Sequence, residues 1–213
     1  MKRWSFFMLF IALLAFAFTS CNDDEPRTDN SNSNIVIGQV ENGEQLDIDS
    51  VYAVFYYYSE HGSSEEERVV LGASAYQNGL FGIGLIETFN PFYMDGLDYL
   101  LKKGISISNP QAKMLNGSPQ FNAYKNGAYV GEFKIKQVAT DDHEAKFVFT
   151  DRAFTLNGSY AENGVTVVFN NATFAKGWNV VYYQADTQNK IAYCNINETD
   201  GLKWFFFSNA NRQ

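Results

Sequence analysis

Along most of the chain from residue 35 onward, apolar positions come in short runs or alternate with polar ones, and turn residues punctuate them. Ile35, Val36 and Ile37 open a strand. Val51 to Tyr58 is β-branched and aromatic throughout, which predicts a strand buried on both faces. Val69 to Tyr76 and Leu80 to Ile86 predict two more, turned about Gln77-Asn78-Gly79. Glu41-Asn42-Gly43-Glu44 carries the strongest hairpin dipeptide. These four strands are expected to form a meander.

The second half reads the same way. Runs at 129–138, 145–150, 153–156, 165–169, 178–185, 190–196 and 202–207 predict strands, after a turn-rich stretch at 109–127. Phe133 and Ile135 alternate with Lys134 and Lys136, the pattern of a strand with one buried face.

One segment departs from this rhythm. Asn90 suits an N-cap and Pro91 a first helical position. Tyr93, Leu97, Leu100 and Leu101 then fall on one helical face. Lys102 and Lys103 complement the dipole, and Gly104 terminates the segment. The spacing predicts a helix over 90–103, with Asp95-Gly96 as a competing turn.

Short strands between regular turn signals predict a mostly β fold, an antiparallel β-sandwich of immunoglobulin-like or transthyretin-like kind. There is an internal echo. Residues 51–57 resemble 178–183, and Asn42-Gly43 matches Asn163-Gly164 upstream of them. Two readings follow: related sandwich units at 35–105 and 106–213 with the short helix between them, or a single β domain over 35–213.

Composition narrows the class. The aromatic fraction is 16% and there are four prolines, values of an ordered β protein. The formal charge is −8. That balance argues against a nucleic-acid partner and against an electrostatic grip on anionic lipid. Two histidines, His61 and His143, and two cysteines offer no His/Cys zinc set. Asp141-Asp142-His143-Glu144 lacks the spacing of a calcium loop. No metal and no cofactor are expected.

The amino terminus has a different design. Lys2 and Arg3 precede an unbroken apolar run of 13 residues, Phe6 to Phe18, followed by Thr19, Ser20 and Cys21. The run is shorter than the roughly 20 residues a spanning helix needs. Asn22 to Asn34 is Asn-, Asp- and Ser-rich and reads as a tether. Residues 1–25 resemble a bacterial type II lipoprotein signal. That resemblance implies that Cys21 is lipidated and becomes the first mature residue once 1–20 are removed, leaving 21–34 as a lipidated tether. The cut takes two bases and no acid, so the charge falls from −8 to −10. Asp23-Asp24-Glu25 resembles the export tag of Bacteroidota surface lipoproteins, which implies an outer-membrane protein facing the cell exterior. Anchoring would be by lipid alone.

Candidate chemistry is sparse. No G-x-S-x-G or phosphate loop occurs. Cys194, once Cys21 is lipidated, has no disulfide partner, and its strand-like surroundings predict a small buried hydrophobe. Asp49-Ser50-Val51 resembles the Asp-Ser/Thr-aliphatic acceptor of Bacteroidota O-glycosylation, which implies Ser50 as its site. The aromatics remain. Trp178 and Trp204 lie next to turns, where partial exposure is expected, and Tyr182 shares the strand of Trp178. An exposed ring is a platform for the apolar face of a sugar. The expected function is therefore non-catalytic binding at the cell surface, with glycan as ligand and Trp178, Trp204 and Tyr182 as contacts. The alternative is a structural or adhesin-like subunit of a surface protein complex. An enzyme acting on polysaccharide stands third.

Overall fold

β-branched and aromatic runs become strands because their side chains fill a pleated, half-buried surface. The computed structural model describes residues 34–58, 66–137, 143–186, 191–196 and 201–209. The expected signal segment, the expected tether up to residue 33, His61, Asp141 and Asp142 lie outside these residues. So does the side chain of His143.

Fifteen strands are described: β1 (Ile35–Gln39), β2 (Ser50–Tyr58), β3 (Glu66–Ala75), β4 (Leu80–Gly84), β5 (Met94–Gly96), β6 (Ser106–Ile107), β7 (Lys113–Leu115), β8 (Gln120–Lys125), β9 (Ala128–Gln137), β10 (His143–Thr150), β11 (Phe154–Glu162), β12 (Val165–Phe174), β13 (Gly177–Asp186), β14 (Ile191–Ile196) and β15 (Leu202–Ser208). Among the described residues the protein is mostly β, with antiparallel sheets and one short α-helix, α1 (Asp98–Lys102). Thirteen strands share one sheet, whose main path runs β3-β2-β8-β9-β10-β13-β14-β12-β11-β6. β1 and β4 form a separate antiparallel pair. Among the described strands one pair is parallel: β14 inserts between β13 and β12, antiparallel to the first and parallel to the second.

Three pairings correct the reading from sequence alone, while β2 and β3 pair as expected. The first four strands are not a meander: β1 pairs with β4, and β2 pairs with β3 and β8. Asn78-Gly79 does make a tight turn, both residues having positive φ and Gln77 exchanging two backbone bonds with Leu80. Asn42-Gly43 instead opens a 3-10 turn. The helix expected over 90–103 is broken. Asn90 caps as anticipated, its side chain accepting from Phe92 N, but only a three-residue 3-10 turn follows. Met94–Gly96 then pairs with Lys113–Leu115. Gly96 weakens a helix interior by about 1 kcal/mol, and the strand pairing satisfies the backbone that the helix would have used. Helix α1 survives as the remainder and stops at Gly104, φ +86. Strand pairings also cross the 105/106 position, since β2 meets β8 and β5 meets β7. Residues 32–213 form one compact unit.

The sheet carries two apolar cores on opposite faces. Phe147, Phe149 and Trp178 pack with Val51, Phe55, Phe121, Phe133 and Trp204 beneath the β1–β4 pair. Val148 and Val181, of opposite parity on the same two strands, pack with Leu97, Ile105, Leu156 and Phe174 beneath the α1 segment. Different layers thus cover different halves of one sheet.

Candidate functional site

The site is built around β9. Along one edge β9 pairs with β15 over its length from Gly131 to Gln137. Its other edge is shared. Phe133 pairs with Phe121 of β8, and two residues on Ile135 pairs with Ala145 of β10. The two partners diverge there and leave a notch of about 510 Å³. Pro119, buried at the notch, has no N–H to extend the β8 ladder past this point.

The notch has an aromatic wall and charged sides. Phe121 lies 5.0 Å from Trp204 and 5.5 Å from Phe147 between ring centroids. Glu132 and Lys134 come from β9, and Glu144 and Lys146 from β10. Each pair is two residues apart and so on one face of its strand. Lys134 Nζ sits 2.8 Å from Glu132, and Lys146 Nζ 2.7 Å from Glu144. Glu132 is buried, and a buried carboxylate is tolerable only with such a partner.

A second cleft of about 340 Å³ opens on the α1 side of the sheet. Tyr99, Leu100, Met114, Val148, Phe169 and Tyr183 line it. Tyr183 and Gly117 line both clefts, so the two meet there. Tyr99 is fixed at this groove. Its hydroxyl donates to Glu162, and Lys103 lies 3.4 Å from the same carboxylate. Lys103 also stands 5.3 and 5.8 Å from the Tyr99 and Tyr160 ring centroids. The Tyr99 hydrogen bond, with Lys103 adding, holds the Glu162 carboxyl below its usual range. The same bond pushes the Tyr99 hydroxyl up.

Of the three contacts expected from sequence, Trp204 lines the notch, while Trp178 and Tyr182 do not. Trp178 is not exposed: it is 6% accessible, and its Nε1 donates to Ile86 O at 2.9 Å. Phe89 and Phe149 flank it at 5.8 and 5.4 Å. Trp204 is likewise buried, between Phe81 and Phe121, though it reaches the notch wall. Adjacency to a turn failed as a guide to exposure because residues far along the chain cover both rings. Tyr182 is half-buried on the face opposite Tyr183. Ser50 is half-buried at the start of β2, between Ala75 and Tyr124, and the preceding Asp49 is engaged by Asn126 N and Lys125. Cys194 lies on β14, and its side chain is outside the described residues.

Sequence reasoning did not single out Tyr183, Glu132, Glu144 or Lys146. Strand parity relative to Val181 was the available signal for Tyr183, and the Lys134/Lys136 alternation was the signal for the charged face. Among the described residues, no three His, Cys, Asp or Glu side chains gather as a metal set. The arrangement suits a ligand with an apolar face for the rings and hydroxyls for the charged sides. No family model matches the chain, and no curated protein or solved structure is significantly similar to it.

Proposed function

We propose that this protein is a lipid-anchored surface protein that binds glycan without transforming it. The observation that carries this reading is the meeting of two ring-lined clefts at Tyr183. A sugar ring offers an apolar face to an aromatic side chain and hydroxyls to charged groups, and the clefts on either side of Tyr183 provide both. The carboxylates of Glu132 and Glu144 each hold a lysine, and their oxygens can accept hydrogen bonds from hydroxyls. Location follows from the resemblance at Cys21: outer membrane, facing the exterior.

The test is binding of the soluble body to a panel of polysaccharides, by affinity electrophoresis or calorimetry, with Tyr183→Ala beside wild type. Loss of one stacked ring should weaken binding by about tenfold. If no polysaccharide binds, or Tyr183→Ala binds as wild type does, the reading fails.

A structural role in a surface complex is the second reading, and one surface favours it. Ile35, Ile37 and Leu80 are 54%, 74% and 48% exposed. Register places them on the outer face of the β1–β4 pair with Gly82 and Gly84. An added Cβ at either glycine meets nothing within 4 Å. Such an apolar face beside bare backbone suits protein docking. Cross-linking in intact cells that captures a partner through this face, lost in Ile37→Lys, would favour it over the glycan reading.

A further inference from the structure

Strand β10 carries two chemistries on one face. Successive side chains alternate, so Glu144, Lys146 and Val148 share a face. Register sets Glu144 opposite Tyr183 of β13 and Lys146 opposite Val181, and residues opposite one another share a face as well. Phe147 and Phe149, of the other parity, pack in the first core. Along the face away from that core, Glu144 and Lys146 line the notch, while Val148 and Val181 line the α1-side cleft. Tyr183 lines both. From Glu144 to Val148 is four strand steps, about 13 Å. The two clefts therefore lie side by side within the length of a sugar ring and a short chain.

The two ends differ in character. Glu132, Lys134, Glu144 and Lys146 edge the notch. Among the described residues, the α1-side cleft has Asp95 as its one acid and no base in its lining. Val148, Leu156, Phe174 and Val181 line it as buried residues, and Leu100 and Met114 as half-buried ones nearer solvent. Lys146 does not carry charge into it. Its Nζ lies 2.7 Å from Glu144 and 5.3 Å from the Tyr183 ring centroid, which holds it at the notch. The Tyr99 hydroxyl, at the cleft, is already given to Glu162. A cleft of about 340 Å³ with this lining gives water few hydrogen-bond partners, and an apolar group entering it gains by leaving water.

We propose that the glycan held here is a saccharide bearing an apolar substituent, an acyl or alkyl chain. The sugar lies in the notch against Tyr183, and the chain lies in the α1-side cleft among Leu100, Met114 and Val148. The inference rests on the glycan reading and names its ligand class. The juxtaposition of the two clefts argues it. A bare polysaccharide running past Tyr183 would set hydroxyls against Leu100, Met114 and Val148, whose side chains offer them no partner. A purely apolar molecule would leave the charged edge of the notch unused. Lys134 and Lys146 keep their glutamate partners, so the sugar is held through its hydroxyls as a neutral group.

The test titrates the protein with methyl, butyl and octyl glucosides and galactosides, below the concentrations at which they form micelles, and with free octanol. Wild type is compared with Leu100→Glu and Met114→Glu, and thermal melts check that each folds. An octyl glycoside should bind about tenfold or more tighter than its methyl counterpart, since about two fully buried methylenes suffice for that factor. Octanol should bind more weakly than the octyl glycoside, and the folded variants should lose the preference. A gain already complete at butyl identifies a short acyl ester as the substituent, and a further gain at octyl identifies a lipid tail. Equal binding of methyl and octyl glycosides overturns the inference. So does octanol binding as tightly as the octyl glycoside, or a preference that the folded variants keep. Light scattering runs alongside: a dimer that Leu100→Glu splits would put a second copy in the cleft and overturn it too. In each case polysaccharide binding that is lost in Tyr183→Ala leaves the glycan reading standing. Binding of no polysaccharide and no glycoside overturns both.

Discussion

The indole Nε1 of Trp178 donates a 2.9 Å hydrogen bond to the carbonyl of Ile86, 92 positions away. The bond joins β13 to the segment that follows β4, and Phe89 and Phe149 close over the ring. Trp178→Phe keeps most of the volume but leaves the Ile86 carbonyl without this donor. It should cost about 1–3 kcal/mol. Trp178→Ala adds a cavity and should cost about 3–5 kcal/mol. Urea unfolding monitored by circular dichroism checks both. A Phe variant as stable as wild type would show that the bond contributes nothing.

Gly38 sits opposite Phe81 on the β1–β4 pair, and the Phe81 ring lies across it. A Cβ at Gly38 would come within 2.2 Å of that ring. Phe81 also meets Phe121, Phe133 and Trp204, so it has little room to retreat. Gly38→Ala should destabilise by about 1–3 kcal/mol, the usual cost of overpacking. Gly82→Ala, on the open face of the same pair, should change stability far less. Comparing the two urea midpoints decides the point.

Tyr76 donates its hydroxyl to Gly43 O at 2.9 Å and stacks on Phe133. Burial, with the charge of Glu44 adding, pushes its hydroxyl up to about 12. The folded-state value is thus raised above the unfolded one, near 10. The stabilisation it carries is complete below about pH 10 and is lost as pH climbs toward the folded value. The stability difference between wild type and Tyr76→Phe should be flat below about pH 10 and shrink above it. A difference that stays constant to about pH 11.5 would count against this origin.

Asp49 shows the opposite sign. The backbone N–H of Asn126 and then Lys125 hold its carboxyl below the usual range. A depressed folded value contributes stability that is present above the unfolded value and lost as pH falls through the folded one. Asp49→Asn should therefore differ from wild type above about pH 4 and converge with it in more acid solution. Unfolding midpoints measured from about pH 6 down to about pH 2 test this.

Cys21 carries the localisation proposal. Cys21→Ser should abolish labelling by a radioactive or clickable palmitate and release the protein from the membrane fraction. Surface protease treatment of intact cells should digest the wild-type body. Retention of label in the Ser variant would refute lipidation at this residue.

Much of the fold was legible because its causes are local. β-branched and aromatic runs at β2, β12 and β13 choose extended backbone wherever they sit. Asn78-Gly79, Asn126-Gly127 and Asn163-Gly164 all adopt the positive φ that tight hairpins need, a preference held within two residues. Lys134 and Lys136 announced the outward face of β9 through parity alone. The site was less legible. Glu132 and Glu144 are ordinary strand acids in the sequence, and nothing local says that they face one notch.

By itself, the sequence determined the mostly β character, the tight turns at Asn78-Gly79, Asn126-Gly127 and Asn163-Gly164 and the faces of individual strands, since each depends on neighbours a few positions away. Tertiary structure alone decided that β1 joins β4, that β14 slips between β12 and β13, and that Met94–Gly96 leaves a helix to pair with β7. It also decided that both tryptophans are covered, and that β9 divides one edge between β8 and β10. The physical reason is common to all of these. Backbone bonds and ring burial are satisfied by whichever distant segment arrives, and the stabilisation it brings exceeds the roughly 1 kcal/mol preferences that local sequence can express.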